Sequence, residues 1–282
     1  MWNAETYELI WSAYDHSDLN HDIAFSKSGQ LLATGCNDGQ IKIWNTQTGK
    51  CSATLLGHEN SVRQVAFIEN DQRLVSVGWD KQVRFWNLQT GKVVNTLLDH
   101  DRYVVAMDVS SDERLLATGG GDNTIRVWDL AKGKVIATLH GHTQEVHEVA
   151  FVPGRSLIVS GSHDGTARLW DIETQEEIRK YDIGANLVNA IAVSPSGEIV
   201  ATGGGSFGLG IALWNRKSGL RLALLEGHDE SVDRLVFNSN GSRLYSASNG
   251  STVHVWDVAS KRELSADVSP KGMRGIAVSP NG

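Results

Sequence analysis

Seven tryptophans recur at nearly constant spacing along this 282-residue chain. Trp2, Trp44, Trp86, Trp128, Trp170, Trp214 and Trp256 stand 42, 42, 42, 42, 44 and 42 residues apart, and each is followed by Asn or Asp. Self-similarity at such a period marks an architecture assembled from one small unit copied many times. It also narrows function, because residues committed to near-identical units leave few for a unique catalytic centre. Length alone would allow two domains; the unbroken period predicts one, spanning residues 1–282.

Inside each unit, short β-branched and aromatic runs alternate with turn residues. The runs Cys51–Leu56, Val62–Phe67, Leu74–Val77 and Gln82–Trp86 are bounded by Gly57-His58, Glu69-Asn70-Asp71, Trp79-Asp80 and Gln89-Thr90-Gly91-Lys92. Such runs read as antiparallel strands joined by hairpins. Pro153, Pro195, Pro270 and Pro280 fall at strand ends or turns, where a missing N–H is tolerated. No segment has a convincing helical period. Four strands in about 42 residues predict an all-β fold of propeller blades. One such sheet cannot cover both its faces, but radial packing against neighbours covers them.

Charge and leader signals exclude several function classes. A net charge of −7 gives no support for binding a phosphate backbone, so nucleic acid is not an expected partner. The first sixteen residues lack a basic region and an apolar core, and no run reaches the roughly 18 apolar residues of a membrane helix. No membrane association is expected. Cys36 and Cys51 are the only cysteines. A disulfide framework is therefore not expected, and a reducing, cytoplasmic setting is.

The units resemble the WD-repeat family of β-propellers over essentially the whole chain. The resemblance rests on Gly57-His58, Gly141-His142 and Gly227-His228, on the variants Asp15-His16 and Asp99-His100, and on the Trp-Asp or Trp-Asn pair closing every unit. Four units share a further pattern: His16, Thr34, Asp38, Trp44; His58, Ser76, Asp80, Trp86; His100, Thr118, Asp122, Trp128; and His142, Ser160, Asp164, Trp170. In each, His precedes Asp by 22 residues and Trp by 28. The resemblance implies a structural tetrad in which indole, hydroxyl, imidazole and carboxylate are linked in series. The same residue types make a hydrolase triad, but that needs an exposed hydroxyl, an oxyanion hole and a substrate slot. Here Ser and Thr interchange and the set occurs four times, which favours the structural role. The fifth unit has Gly184 in the His slot and a longer loop, Gly203–Gly210. The sixth keeps His228, Ser246 and Trp256 with Gly250 in place of the Asp. These two are expected to be the softest complete blades.

Two further patterns are weak. Gly203, Gly205 and Gly208 fit G-x-G-x-x-G, yet a strand rather than a helix is expected to follow, so no nucleotide cofactor is predicted. His140, His142, His147 and His163 lie close in sequence, but they are expected to point from different strands and turns, so no metal is predicted.

The resemblance also implies a docking face, with three positions per blade of most interest. These are Leu19, His21 and Asn37; Ser61, Arg63 and Trp79; Tyr103, Val105 and Gly121; Glu145, His147 and His163; then, less securely aligned, Leu187 and Asn189, and Ser231, Asp233 and Asn249. Trp79 lies off the 42-residue spacing where equivalent units carry Asn37, Gly121 and His163, so the fold does not require an indole there. Beside Tyr103 and Arg63 it has the composition of an interface anchor; the alternative is an indole folded over a neighbouring turn and touching only its own blade. The mixed charges of Arg63, Glu145 and Asp233 favour a peptide or protein ligand.

The ends do not complete a seventh unit. Residues 1–15 supply the tail of one strand at Trp2 and an outer strand, Thr6–Trp11. Repeats follow at 16–57, 58–99, 100–141, 142–183, 184–227 and 228–268. Residues 269–282 carry Gly275–Ser279, predicted as an innermost strand because IAVSPNG from Ile276 echoes IAVSPSG from Ile191. The expected blade lacks its two middle strands. Three explanations stand: a piece of a longer chain, a partner that supplies strands, or a six-bladed ring with frayed ends. The functional expectation is a non-enzymatic protein-interaction scaffold. Its rivals are a sensor propeller of a larger signalling protein and an enzyme using the central cleft. The last would need convergent carboxylates, histidines or metal ligands, of which the sequence singles out none.

Overall fold

Radial packing of hairpin-built sheets is what the computed structural model displays. It describes residues 1, 3, 6, 8–13, 15–183, 187–205, 210–249, 252–268 and 275–280. Trp2, Gly184, Gly208 and Gly250 therefore lie outside the described residues.

Among those residues the chain forms six four-stranded antiparallel sheets, each in simple sequence order. Blade one is β1 (Asn20–Phe25), β2 (Leu31–Cys36), β3 (Ile41–Asn45) and β4 (Cys51–Leu55). Blade two is β5 (Val62–Ile68), β6 (Arg73–Gly78), β7 (Val83–Asn87) and β8 (Lys92–Leu97). Blade three is β9 (Val104–Val109), β10 (Leu115–Gly120), β11 (Ile125–Asp129) and β12 (Lys134–Leu139). Blade four is β13 (Val146–Phe151), β14 (Leu157–Ser162), β15 (Thr166–Asp171) and β16 (Glu177–Asp182). Blade five is β17 (Val188–Val193), β18 (Ile199–Gly204), β19 (Ile211–Asn215) and β20 (Arg221–Leu225). Blade six is β21 (Val232–Phe237), β22 (Arg243–Ser248), β23 (Thr252–Asp257) and β24 (Arg262–Val268).

The core lies between blades rather than within them. Val75 and Phe85 of blade two pack with Leu116 and Trp128 of blade three. The same arrangement joins blades three and four through Trp170, and five and six through Trp256. The indoles of β7, β11, β15, β19 and β23 thus seal their own blades against the one before, and with that of β3 they are 0–7% exposed. Close approach demands small residues: a Cβ on Gly161 of β14 would stand 2.7 Å from Val188 of the next blade.

Among the described residues, neither of the expected strands, Thr6–Trp11 and Gly275–Ser279, belongs to the six sheets. Asn3 N–H donates to Glu8 O at 2.8 Å and Ile10 N–H to Met1 O at 2.9 Å. Both segments still dock on blade one. Trp11 donates its indole N–H to Thr46 O at 2.7 Å and covers Gly49, much as Arg179 of β16 covers Gly219 in the next blade. Gly275 lies against Asp22 and Ile23, and Pro280 against Gly29, as Pro195 lies against Gly241.

Candidate interaction face

One irregularity in the innermost strands builds the face. The ladder between the first two strands of each blade skips one residue: His21, Arg63, Val105, His147, Asn189 and Asp233. A bulge turns its extra side chain away from the regular alternation. These residues belong to the docking positions implied by the family resemblance. A second device ties two loops of a blade together. The N–H of Asn37, Trp79, Gly121, His163 and Asn249 donates to the carbonyl of Leu19, Ser61, Tyr103, Glu145 and Ser231, at 2.9–3.0 Å.

On this frame the side chains form a chain of contacts across successive blades. Arg63 Nη1 lies 2.9 Å from His21 Nδ1, and its guanidinium sits 5.6 Å over the Trp79 ring. Trp79 tilts against Tyr103 at 5.9 Å between centroids, and the Tyr103 hydroxyl donates to Glu145 at 2.9 Å. His163 reaches Glu145 at 4.0 Å and stacks on His147 at 4.8 Å. His147 Nδ1 meets the Asn189 carbonyl at 3.0 Å, and the Asn189 amide donates to Ser231 at 2.9 Å. Gly121 permits this, since a Cβ there would come within 2.6 Å of the Tyr103 ring. Trp79 remains 46% exposed. A depression of about 310 Å³ opens beside the chain, lined by His21, Arg63, His147, His163, Asp233 and Arg234 among others. Burial, aided by the charges of Arg234 and His163, pushes His147 down to about 3, so it is neutral at physiological pH.

Beneath the face sit the tetrads. In blade two, Trp86 donates to Ser76 Oγ at 2.8 Å, His58 Nε2 meets the same oxygen at 2.7 Å, and His58 Nδ1 meets Asp80 at 2.8 Å. Trp128, Thr118, His100 and Asp122 repeat this at 2.9, 2.8 and 2.8 Å. Trp170, Ser160, His142 and Asp164 do so at 2.8, 2.7 and 2.8 Å. Ser76, Thr118 and Ser160 are fully buried, so none of these three hydroxyls faces solvent. Burial opposes ionisation of Asp164, but hydrogen bonds from Thr166 and His142 outweigh it and bring the carboxyl to about 2. Blade one differs: Trp44 and His16 meet Thr34 at 2.9 and 2.7 Å, while Asp38 stands 3.7 Å from His16 Nδ1.

Sequence reasoning missed a polar cluster along the axis. Gln64 donates to Glu148 at 2.9 Å, Arg234 reaches Glu148 at 3.2 Å and Asp22 at 3.8 Å. Asp22 accepts from Val65 N–H at 3.0 Å and Asp108 from Phe151 N–H at 2.7 Å; Gln64 accepts from Met107 N–H. Innermost strands present backbone donors with no ladder partner, and these side chains cap the next blade's donors. Burial raises Asp108 to about 6, and it raises Glu148 to about 7 against the pull of Arg234. The signal that could have found the cluster is a charged residue at an inner-strand position that other repeats fill with Ala106 or Ala190.

Residues 5–224 match the family described as the WDR36/Utp21 second beta-propeller domain. The chain belongs to this family. Residues 219–257 also match the WD domain, G-beta repeat. Among curated proteins, this propeller is similar to the Periodic tryptophan protein 2 homolog of Schizosaccharomyces pombe. That match is 38% identical over 95 residues, covering 33% of this chain and 11% of that protein. Periodic tryptophan protein 2 of Saccharomyces cerevisiae is 34% identical over 92 residues, covering 30% and 10%. The Mus musculus homolog is 40% identical over 70 residues, covering 25% and 8%. The matched part of the propeller is thus about a tenth of these relatives.

The weak patterns resolve physically. Among the described residues the next element after Gly203 and Gly205 is a strand, β19, while Gly208 lies outside them. His142 is held in its tetrad, His140 is exposed, and His147 and His163 stack on each other.

Proposed function

We propose that this WD-repeat propeller is a non-enzymatic scaffold that holds a peptide or protein on the face carrying Trp79. The observation that supports this best is the half-exposed indole, braced by Arg63 from one side and Tyr103 of the next blade from the other. A Trp so held presents apolar area with little rotamer entropy left to lose, the property of a hot-spot anchor. Asp233, Arg63 and Glu145 around it supply a mixed-charge rim that suits a polypeptide. The axial carboxylates do not favour the enzyme reading, because each already accepts a backbone or side-chain donor.

Selection of binders from a displayed peptide library, using the whole chain as bait, tests the reading. Selected peptides should bind Trp79→Ala at least about 10-fold more weakly and bind Leu98→Ala, an exposed position outside the face, unchanged. Peptides indifferent to both Trp79→Ala and Arg63→Ala would sink it.

A further inference from the structure

Blade one carries a feature that its sister blades lack. The residue two before the tetrad Asp is Gly78 in blade two, Gly120 in blade three and Ser162 in blade four; in blade one it is Cys36. The space at this position adjoins the tetrad. A Cβ on Gly78 would lie 3.1 Å from His58 Nδ1 and 3.2 Å from Asp80 Oδ1. Cys36 holds its sulfur within 4.8 Å of the ligand atoms of His16 and Asp38, with its thiol donating to the Asp18 carbonyl at 3.4 Å. In blade one the imidazole–carboxylate joint is open: Asp38 is 3.7 Å from His16 Nδ1 instead of the 2.8 Å of blades two to four.

Opening the joint leaves an imidazole nitrogen without a hydrogen bond among the described residues. Among the described residues His16 Nδ1 is buried and makes no hydrogen bond, and the side chain is only 3% exposed. An orphaned buried nitrogen is costly and calls for an explanation. The tautomer is also free to leave a lone pair there. The Thr34 hydroxyl can donate to the Lys42 carbonyl at 3.5 Å, so His16 Nε2 can carry the proton and donate to Thr34 Oγ1 at 2.7 Å. That places the unprotonated Nδ1 beside Cys36 and Asp38. The ligand atoms of His16, Cys36 and Asp38 all lie within 4.8 Å of one another.

We propose that His16, Cys36 and Asp38 form a binding site for one zinc-like divalent cation. One sulfur, one imidazole nitrogen and one carboxylate oxygen suit a borderline-soft transition metal, and disfavour Mg2+ or Ca2+, which take oxygen ligands. Ligand atoms around tetrahedral zinc stand roughly 3.3–3.8 Å apart, so closing the site needs movements of about 1 Å or less. Asp38 is 13% exposed, which lets water reach a fourth position. The bound cation would take over the role that the short His–Asp hydrogen bond plays in blades two to four. It would tie the segment entering β1 to the turn between β2 and β3. The Thr34 contact on the far ring nitrogen is the kind of outer partner that orients a ligating histidine.

Anaerobic titration of the reduced full chain with Co2+ tests this, reading the thiolate-to-cobalt charge-transfer absorption. One equivalent should develop the band, and Zn2+ should displace it. Zn2+ at roughly 100 times its dissociation constant should also raise the melting temperature by about 5 °C. Cys36→Gly and Cys36→Ser restore residues that sister blades use at this position, so both should fold, and both should lose band and melting shift. Cys51→Ser should keep them. A wild-type chain without the band, or a band that survives in Cys36→Gly or Cys36→Ser, would overturn the proposal.

Discussion

Blades four and six hold the same indole, serine and imidazole, yet only blade four adds a carboxylate. In blade four His142 Nδ1 is 2.8 Å from Asp164, which also accepts from Thr143 N–H and Thr166. In blade six His228 Nδ1 faces the Thr252 hydroxyl at 3.3 Å, Thr252 meets Ser248 at 2.7 Å, and the His254 ring lies 4.0 Å from His228. The inner joint is unchanged: Trp170 to Ser160 at 2.8 Å and Trp256 to Ser246 at 2.9 Å. The indole–hydroxyl–imidazole part is thus common to both blades. The outer end can be satisfied by an ion or by a pair of hydroxyls.

The largest test of that comparison removes the common part. Trp170→Ala and Trp256→Ala should each cost about 3–5 kcal/mol, by lost burial and cavity formation, read as melting or denaturant midpoints. Both indoles are nearly inaccessible, at 1% and 2% exposure. A cost near 1 kcal/mol in blade six alone would show that its joint is not equivalent. Next comes the outer end. Asp164→Ala strands the His142 and Arg168 donors and should cost about 2 kcal/mol. Thr252→Val should cost about 1 kcal/mol, since neutral hydroxyls form weaker bonds. Equal costs would mean the charge adds nothing.

How much of this was legible beforehand depended on distance along the chain. The tryptophan period and the turn residues revealed the six four-stranded sheets, because hairpin contacts are local and repeat. The His–Ser–Asp–Trp sets were visible because their spacing recurs within one unit. The axial cluster was not, because Asp22, Glu148 and Arg234 come from blades one, four and six and meet only when the ring is formed. Nor could alternation reveal the bulges that turn Arg63 and His147 onto the face, since a bulge breaks the period of two. The hydroxyl pair Ser248–Thr252 was missed for a simpler reason: the missing Asp read as a loss, not as a replacement. Trp11 finds its place through Thr46 and Gly49 of blade one.

Acid should separate the two blades. Burial, with the charge of His254 adding to it, lowers His228 to about 3, whereas an unfolded histidine protonates near 6.5. Its contribution to stability is complete above about 6.5 and drains away as pH falls toward 3, because the unfolded chain then binds the extra proton. Burial also lowers His142, with Asp164 pulling the other way. The contribution of Asp164 itself is full above about 3.8 and is lost only as pH falls toward 2. Glu148, on β13 of blade four, runs in the opposite sense: with its carboxyl raised to about 7, its contribution declines as pH rises from about 4.5 through 7. Hydrogen exchange, corrected for its intrinsic pH dependence, should therefore show β21–β23 losing protection between pH 6.5 and 4 before β13–β15 do. Loss in the reverse order would contradict the assignment.

The finest comparison uses one substitution at matched sites. Ser162 and Ser248 occupy the same position in blades four and six, where blades two and three have glycine. Ser162 donates to the Gln144 carbonyl at 3.0 Å and accepts from Asp164 N–H at 3.1 Å; neither contact touches the imidazole. Ser248 instead holds the Thr252 hydroxyl that faces His228. Replacing either by glycine adds the same backbone entropy to the unfolded chain, so that penalty cancels in the difference. What remains is the loss of a structural contact in one blade against the loss of the imidazole's support in the other. Ser248→Gly should exceed Ser162→Gly by about 0.5–1 kcal/mol. The gap should vanish in a Thr252→Val background, where the hydroxyl relay is already gone, and a gap that persisted there would place the function of Ser248 elsewhere.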